Sequence, residues 1–307
     1  MAAGKRRRGS VDGLLNVAKP AGMTSRRVVD RVLSLVAPAK VGHAGTLDPM
    51  ATGVLVICIG AATRLISFVQ EQRKTYRAEF LLGRRSDTDD VTGQVEEVPG
   101  TTALPRATVE QALRRFVGRI SQVPPQFSAV HVEGKRAHQL ARRGKEVDIA
   151  PRDVDVYRID VIDFEWPRLI VEIECGSGTY VRSIGRDLGN ALGCGGVMSA
   201  LERTAIGSFQ VSDALEFEAL TRESIASGLR PIGDAIPGLP HVMVTDEDIV
   251  QMRMGQRVGT PTGPATEAPR VACYSGEGRL VALADTCDGG SRLQPTLVFP
   301  DAFDVAS

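Results

Sequence analysis

An α+β fold is what this 307-residue chain predicts, and two observations carry the prediction. Short β-branched and aromatic runs mix with amphipathic helical stretches, but without the regular strand–helix rhythm of a doubly wound sheet. Beyond a Pro- and Gly-rich stretch at residues 228–240, some 65 residues read as short strands around one short helix, a small β-rich module of its own. The length suits two such units, each with its own core.

Taken in order, "MAAGKRRRGS" (residues 1–10) is expected to be a disordered basic tail, with no apolar run behind it to make a signal peptide. "TSRRVVDRVLSLV" places Val28, Val29, Val32, Leu33 and Val36 on one face behind a Thr24 or Ser25 cap. Pro38 stops it, so a helix is predicted. "VLVICI" and "YRAEFLLG" are predicted strands, as is "LIVEIEC", where Val171, Ile173 and Cys175 alternate with Glu172 and Glu174. "ATVEQALRRFVG" predicts a helix from Thr108, and "RSIGRDLGNAL" another despite its glycines. The 228–240 stretch reads as a linker. After it come a Thr245–Asp248 capping box with a helix ending at Gly255, two strands in "RVACYSGEGRLVALAD", and a last strand near "TLVF".

Charge and cysteine usage narrow the function classes. The net charge is zero, yet residues 1–85 carry fifteen Lys and Arg against five Asp and Glu, and residues 106–145 carry nine against two. Residues 210–250 reverse the balance with two basic and eight acidic, so a basic face fit for a phosphate backbone is compatible with the zero sum. Five scattered cysteines with no C-x-x-C pair predict a reduced, cytoplasmic protein without a structural metal. No apolar run approaches the roughly 18 residues of a membrane span. Neither a P-loop nor a strand–GxGxxG–helix unit is present, which counts against a nucleotide-phosphate enzyme.

The stretch "KVGHAGTLDPMATGVLVICIG" sets one carboxylate, Asp48, among glycines before a proline and an apolar run. Turn chemistry alone explains an Asp-Pro in a glycine-rich loop. Against that bland reading stand Gly42, Gly45 and Gly53, which would let backbone approach a ligand, His43 five residues upstream, and a rigid strand behind. In "EGKRAHQLARRGKEV", Lys135, Arg136, Arg142, Arg143 and Lys145 are basic with no acid between them; a solvated helix face is the ordinary explanation of such a run.

"GHAGTLDPMATGVLVICIGAATR" closely resembles the signature of the TruB family of bacterial tRNA pseudouridine synthases. The resemblance continues in "LLNVAKPAGMTS", "KTYRAEFLLGRRSDTDDVTG", "VPPQFSAVHVEGKRAHQLARRGKEV" and "CGSGTYVRSIGRDLGNALGCGGVMSALERTAIGSF", in register over about residues 13–210. It implies a pseudouridine synthase fold, with a mixed, largely antiparallel central sheet flanked by helices over residues 11–235. An RNA-clasping insertion at about 124–152 and, more weakly, a PUA-like RNA-binding domain at 241–307 are implied with it. The implied reaction converts the uridine at position 55 of the tRNA T-loop to pseudouridine, with no cofactor and no metal, by a monomer whose partner is the tRNA T-stem-loop. Asp48 is implied as the nucleophile, attacking the sugar at C1′ or assisting a glycal intermediate, with addition at uracil C6 as the competing route. Arg182 is implied as its partner, and Tyr76 as the ring that stacks on a flipped uracil and as a candidate base for the C5 proton. Tyr180, Leu201 and Lys19 are implied at the substrate, His43 as a residue that positions RNA. The run containing Lys135, Arg136, Arg142 and Arg143 is implied as a set of phosphate contacts. A cation beside Asp48 is expected to hold the carboxylate ionised, lowering its pKa by ~1–3 units. Phe127, His131 and Ser177 depart from residues frequent in the family, outside this set. The rival reading is a non-catalytic RNA-binding or RNA-folding protein on the same scaffold.

Overall fold

The computed structural model describes residues 11–127, 131–132, 135–136, 149–261 and 268–299, giving backbone pairing alone for 131–132 and 135–136. The basic tail, Arg142 and Arg143, and the last residues of the chain lie outside the described residues. The chain opens with β1 (Gly13–Lys19), α1 (Ser25–Val36), β2 (Val41–His43) and β3 (Thr52–Ile59). A short α2 (Ile66–Glu71) leads into β4 (Lys74–Leu82), the hairpin β5 (Arg84–Ser86) and β6 (Val95–Glu97), α3 (Arg106–Leu113) and β7 (Gly118–Gln122). The two-residue strands β8 (His131–Val132) and β9 (Lys135–Arg136) precede β10 (Arg152–Glu165), β11 (Arg168–Cys175), α4 (Val181–Ala191) and β12 (Gly196–Ile206). Then come β13 (Phe209–Gln210), β14 (Leu215–Glu216), α5 (Arg222–Gly228) and β15 (Leu229–Arg230). The last stretch holds β16 (His241–Met243), α6 (Asp246–Arg253), β17 (Val258–Gly259), β18 (Arg270–Tyr274), β19 (Leu280–Cys287) and β20 (Arg292–Val298).

The main sheet runs β14-β1-β3-β12-β4-β11-β10-β7, with β2, β13 and β15 paired to its sides. Within it β1–β14 and β3–β12 pair in parallel and the other described pairs are antiparallel, the mixed α+β sheet expected. β1 and β3 are buried along almost their whole length, which is why both read as continuous apolar runs. β4 instead alternates, with Lys74, Tyr76, Ala78, Phe80 and Leu82 turned inward. β11 buries Val171, Ile173 and Cys175 and leaves Glu172 and Glu174 outward, as its pattern predicts.

Helix α1 carries the expected cap: Thr24 Oγ1 accepts from Arg27 N at 3.3 Å, and Val28, Val29, Val32 and Val36 face the core. α3 begins at Arg106, two residues earlier than predicted, because Pro105 already supplies its N-cap. α4 keeps its glycines for close packing. A Cβ on Gly185 would stand 2.5 Å from the Phe80 ring, and one on Gly189 2.1 Å from the Gly195 backbone. The helix can therefore lie directly on the sheet.

The second sheet, β16-β18-β19-β20-β17, carries α6 behind a full capping box, in which Thr245 N donates to Asp248 Oδ2 at 3.0 Å and Asp248 N to Thr245 Oγ1 at 3.2 Å. The reading of residues 228–240 as a plain linker is corrected. Leu229 and Arg230 pair with β1, and Ala235 and Ile236 are buried in a core shared by both sheets. In that core Leu14, Val54, Leu65 and Val69 meet Ala272, Leu280, Leu283 and Phe299. Gln72 Nε2 adds a hydrogen bond to Ala235 O at 2.9 Å, and Arg64 lies over the Phe299 ring at 5.5 Å.

Candidate active site

Asp48 sits on the loop between β2 and β3, and that loop is fastened on both sides of it. Leu47 N donates to Ser25 Oγ at 2.9 Å, and Ser25 Oγ donates back to Leu47 O at 3.3 Å. Pro49 O accepts from Gly22 N at 2.8 Å and from Lys19 Nζ at 3.3 Å. The carboxylate itself takes no part in this fastening, so the turn-residue reading fails: its hydrogen bond in the described residues comes from Arg182.

Arg182 lies in the first turn of α4, not before the helix, and is buried. Its Nη2 donates to Asp48 Oδ1 at 3.2 Å while Nε lies 3.0 Å from Oδ2, a two-pronged ion pair. The same guanidinium donates to Thr88 O at 3.0 Å and Phe127 O at 3.1 Å, and its Nη1 is 3.5 Å from Asp90 Oδ2. Asp90 is buried in turn, accepting from Thr92 N at 2.9 Å and from the hydroxyls of Thr88 at 2.8 Å and Thr92 at 2.5 Å. One arginine thus bridges two carboxylates. Arg186, one turn further along α4, holds the neighbouring Asp89 at 2.9 Å, a residue with the left-handed φ of 61°.

Burial pushes the Asp48 carboxyl above its usual value of 3.8; Arg182 pulls it down, Asp90 pushes it up and Lys19 pulls it down. Desolvation therefore outweighs the cation, contrary to the expectation that Arg182 would set a lowered pKa. About a third of the Asp48 side chain stays open to the pocket.

That pocket, of about 710 Å³, is of a size for a nucleobase and its sugar. Asp48, Tyr76, Tyr180, Arg182 and Leu201 all line it, so the structure brings these five expected residues together. Tyr76 comes from β4 and Leu201 from β12, next to each other in the sheet. Burial raises the Tyr76 phenol pKa while Arg203 opposes it. Tyr180 is held by its backbone: its N donates to Gln122 Oε1 at 2.8 Å, and Gln122 Nε2 donates to its carbonyl at 3.1 Å. The Arg152 guanidinium lies 4.7 Å over its ring.

Two further expected residues, Lys19 and His43, do not line the pocket. Lys19 is buried, donating to the carbonyls of Pro20 at 2.9 Å, Met23 at 2.8 Å and Pro49 at 3.3 Å. Burial lowers its pKa to about 8. It braces the Asp48 loop from behind and has no surface to offer a substrate. His43, on β2, lies just outside the pocket lining. Burial, then the charge of Arg203, lowers its pKa, so it is neutral at pH 7, and its Nδ1 is buried with no hydrogen-bond partner among the described residues. Lys135 and Arg136 form β9, and their side chains lie outside the described residues. The glycines divide as well. Gly45 lines the pocket, whereas a Cβ on Gly42 would stand 2.7 Å from Ile66 and one on Gly53 2.2 Å from Arg203 O, so those two serve packing.

Lys74, Asp90, Arg152 and Arg203 also line the pocket, and sequence reasoning passed over them. Lys74 Nζ donates to the carbonyls of Gln70 and Gln72, and burial lowers its pKa to about 8. Among the described residues no group of His, Cys, Asp or Glu is arranged to hold a metal ion. No helix there is long and apolar enough to cross a membrane.

The mixed sheet and the Asp–Arg pair set in a base-sized pocket fit the pseudouridine synthase class that the sequence resemblance implies, and comparison with known proteins gives the same class. Residues 33–181 match the TruB family pseudouridylate synthase N-terminal domain, and residues 182–231 the tRNA pseudouridylate synthase B C-terminal domain. A tRNA pseudouridine synthase B of Microcystis aeruginosa is 38% identical over 93% of this chain and 98% of its own length. One from Clostridium kluyveri is 42% identical over 80% of this chain and 84% of its own. Among solved structures, a chain of a Cbf5–Nop10–Gar1 complex is 26% identical with a TM-score of 0.70, covering 94% of this chain and 85% of that one. The chain belongs to the TruB family of pseudouridine synthases.

Proposed function

We propose that this protein converts uridine to pseudouridine at position 55 in the T-loop of tRNA, with Asp48 as the nucleophile. The observation that carries the reading is the carboxylate held by Arg182 at the wall of a pocket that also presents Tyr76, Tyr180 and Leu201. The target nucleotide leaves its stack and enters the pocket, where Tyr76 lies against the base. Stacking of this kind is worth ~1–3 kcal/mol per base, against an unstacking cost of a few kcal/mol.

Asp48 attacks C1′ as the N1–C1′ bond breaks, and the electron pair stays with the uracil ring. The ring turns, C5 attacks C1′ and displaces the carboxylate, the C5 proton leaves and N1 gains a proton. No electrons are exchanged with a cofactor, and none is needed. Arg182 keeps enough of the buried carboxylate ionised to act, while the fastened loop keeps it in place. Neutral His43 serves as a hydrogen-bonding contact for RNA near the displaced nucleotide.

Residues 11–235 form the catalytic domain, and the segment at about 124–152, with Lys135, Arg136, Arg142 and Arg143, clasps the T-loop through its phosphates. Residues 241–307 serve as a PUA-like grip on tRNA. The enzyme acts as a cytoplasmic monomer. The test is release of tritium from C5-labelled uridine in a whole tRNA transcript, beside a transcript carrying cytidine at position 55. Release from the first and not the second supports the reading. A purified protein that binds both and releases nothing would favour the non-catalytic RNA-binding alternative.

A further inference from the structure

One buried charge has no place in that reaction. Arg203, on β12, is 1% exposed, and among the described residues no carboxylate lies within ion-pair distance of it. Its Nε donates to Val54 O at 2.8 Å and its Nη2 to Gly45 O at 3.0 Å. Nη1 lies along Gly45, at 3.5 Å from where a Cβ on that pocket-lining glycine would stand. Both pocket carboxylates, Asp48 and Asp90, are engaged by Arg182 instead. Beside those two carbonyls it hydrogen-bonds the Tyr76 hydroxyl, and a buried guanidinium with no carboxylate next to it is costly. Such a charge is economical only if an anion arrives during use.

Sheet register says where. β12 pairs with β4 so that Arg203 stands opposite Tyr76, and both residues line the pocket. Lys74, two residues before Tyr76 on the inward face of β4, adds a second basic group to the same wall. Heterolysis of the N1–C1′ bond creates the missing anion, because the detached uracil carries its negative charge over N1, O2 and O4.

We propose that Arg203 is the electrostatic counterpart of the detached uracil, stabilising its negative charge across the pocket wall beside the Tyr76 hydroxyl while Asp48 holds the sugar. The proposal rests on the reaction proposed above. It separates the two arginines: Arg182 serves the carboxylate, and Arg203 serves the base. Removing one preorganised donor or charge from a developing anion costs ~10²–10³ in rate.

The experiment compares single-turnover rates of N1–C1′ bond loss on T-loop RNA carrying uridine or 5-fluorouridine at the target. They are read by nuclease digestion and chromatography of the target nucleoside, because the fluorinated base has no C5 proton to release. The fluorinated base holds negative charge better unaided, so it needs Arg203 less. Arg203→Gln should lose about 100-fold on uridine and about 10-fold or less on 5-fluorouridine. Arg203→Lys keeps a charge, but one that titrates when buried; relative to wild type, its rate should fall further on uridine than on 5-fluorouridine as pH rises from 7 to 10. Melting temperature and RNA affinity are measured for each variant, and if the Gln variant does not fold the Lys variant decides. Equal losses on the two bases, or no loss, would overturn the proposal. Failure of wild type to isomerise uridine at all would instead reject the reaction.

Discussion

Replacing Arg182 by Gln tests how the carboxylate is kept usable. In the folded protein its guanidinium contacts Asp48 through Nη2 at 3.2 Å and Nε at 3.0 Å, and Asp90 through Nη1 at 3.5 Å. Removal leaves two carboxylates facing one another in a site where burial already raises Asp48. A cation within ~4–6 Å lowers a carboxylate pKa by ~1–3 units, so its loss should raise Asp48 by that much again. The assay is single-turnover pseudouridine formation between pH 5 and 9. The acid limb should move up by ~1–3 pH units, a ~10- to 1,000-fold loss where wild type lies on its plateau and the variant does not, with recovery toward high pH. Loss of one partner of a buried pair also costs ~3–5 kcal/mol of stability, so folding is checked by circular dichroism at the assay temperature. A loss identical at every pH would refute the argument and leave Arg182 a packing residue.

Because the folded-state pKa of Asp48 is raised, its ionised form opposes folding. Relative to a neutral side chain, the cost is absent below the unfolded value and appears as pH rises through the folded one. Asp48→Asn should therefore gain in melting temperature relative to wild type as pH rises from about 4 to 7, on top of whatever constant cost Arg182 bears for its lost partner; a difference that stays flat or moves the other way over that range would contradict the sign. Lys19→Met removes three donations to backbone carbonyls and should cost ~1–3 kcal/mol in urea unfolding, with RNA affinity nearly unchanged, since Lys19 is buried. Its folded pKa of about 8 lies below the unfolded value, so wild-type stability gains with pH between about 8 and 10.5, and the variant should lack that slope. Phe299→Ala opens the core shared by the two sheets and should cost ~3–5 kcal/mol. The whole chain should then melt lower in a single transition; independent melting of a C-terminal unit would contradict the shared core.

What was legible in the sequence followed from periodicity and from one long motif. The β11 alternation and the α1 face needed nothing beyond the spacing of valines and isoleucines. Asp48, Tyr76, Tyr180 and Arg182 were expected at one site from their motifs, and they line one pocket although more than a hundred residues separate Asp48 from Arg182 and only the fold joins them. Arg203 was missed, yet a signal was present: in "ALERTAI" it occupies the inward phase set by Leu201 and Ala205, a charged residue where a strand buries its side chain. Asp90 gave no such signal, since three aspartates in "SDTDDVTG" read as a solvated turn until Arg182 and Arg186 arrive from another element. Lys19 was misplaced because sequence proximity to a motif says nothing of which way a side chain turns. The 228–240 stretch was misread because its prolines and glycines masked Ile232, Ala235, Ile236 and Leu239, which pack on the shared core.

The account depends on Asp48 breaking the glycosidic bond, and the most direct measurement is single-turnover tritium release by Asp48→Asn against wild type on the same C5-labelled tRNA, with affinity measured in parallel. Unchanged RNA binding with no release by the variant, while wild type releases one tritium per modified uridine, is the predicted result. Release by Asp48→Asn at a rate near wild type would contradict it.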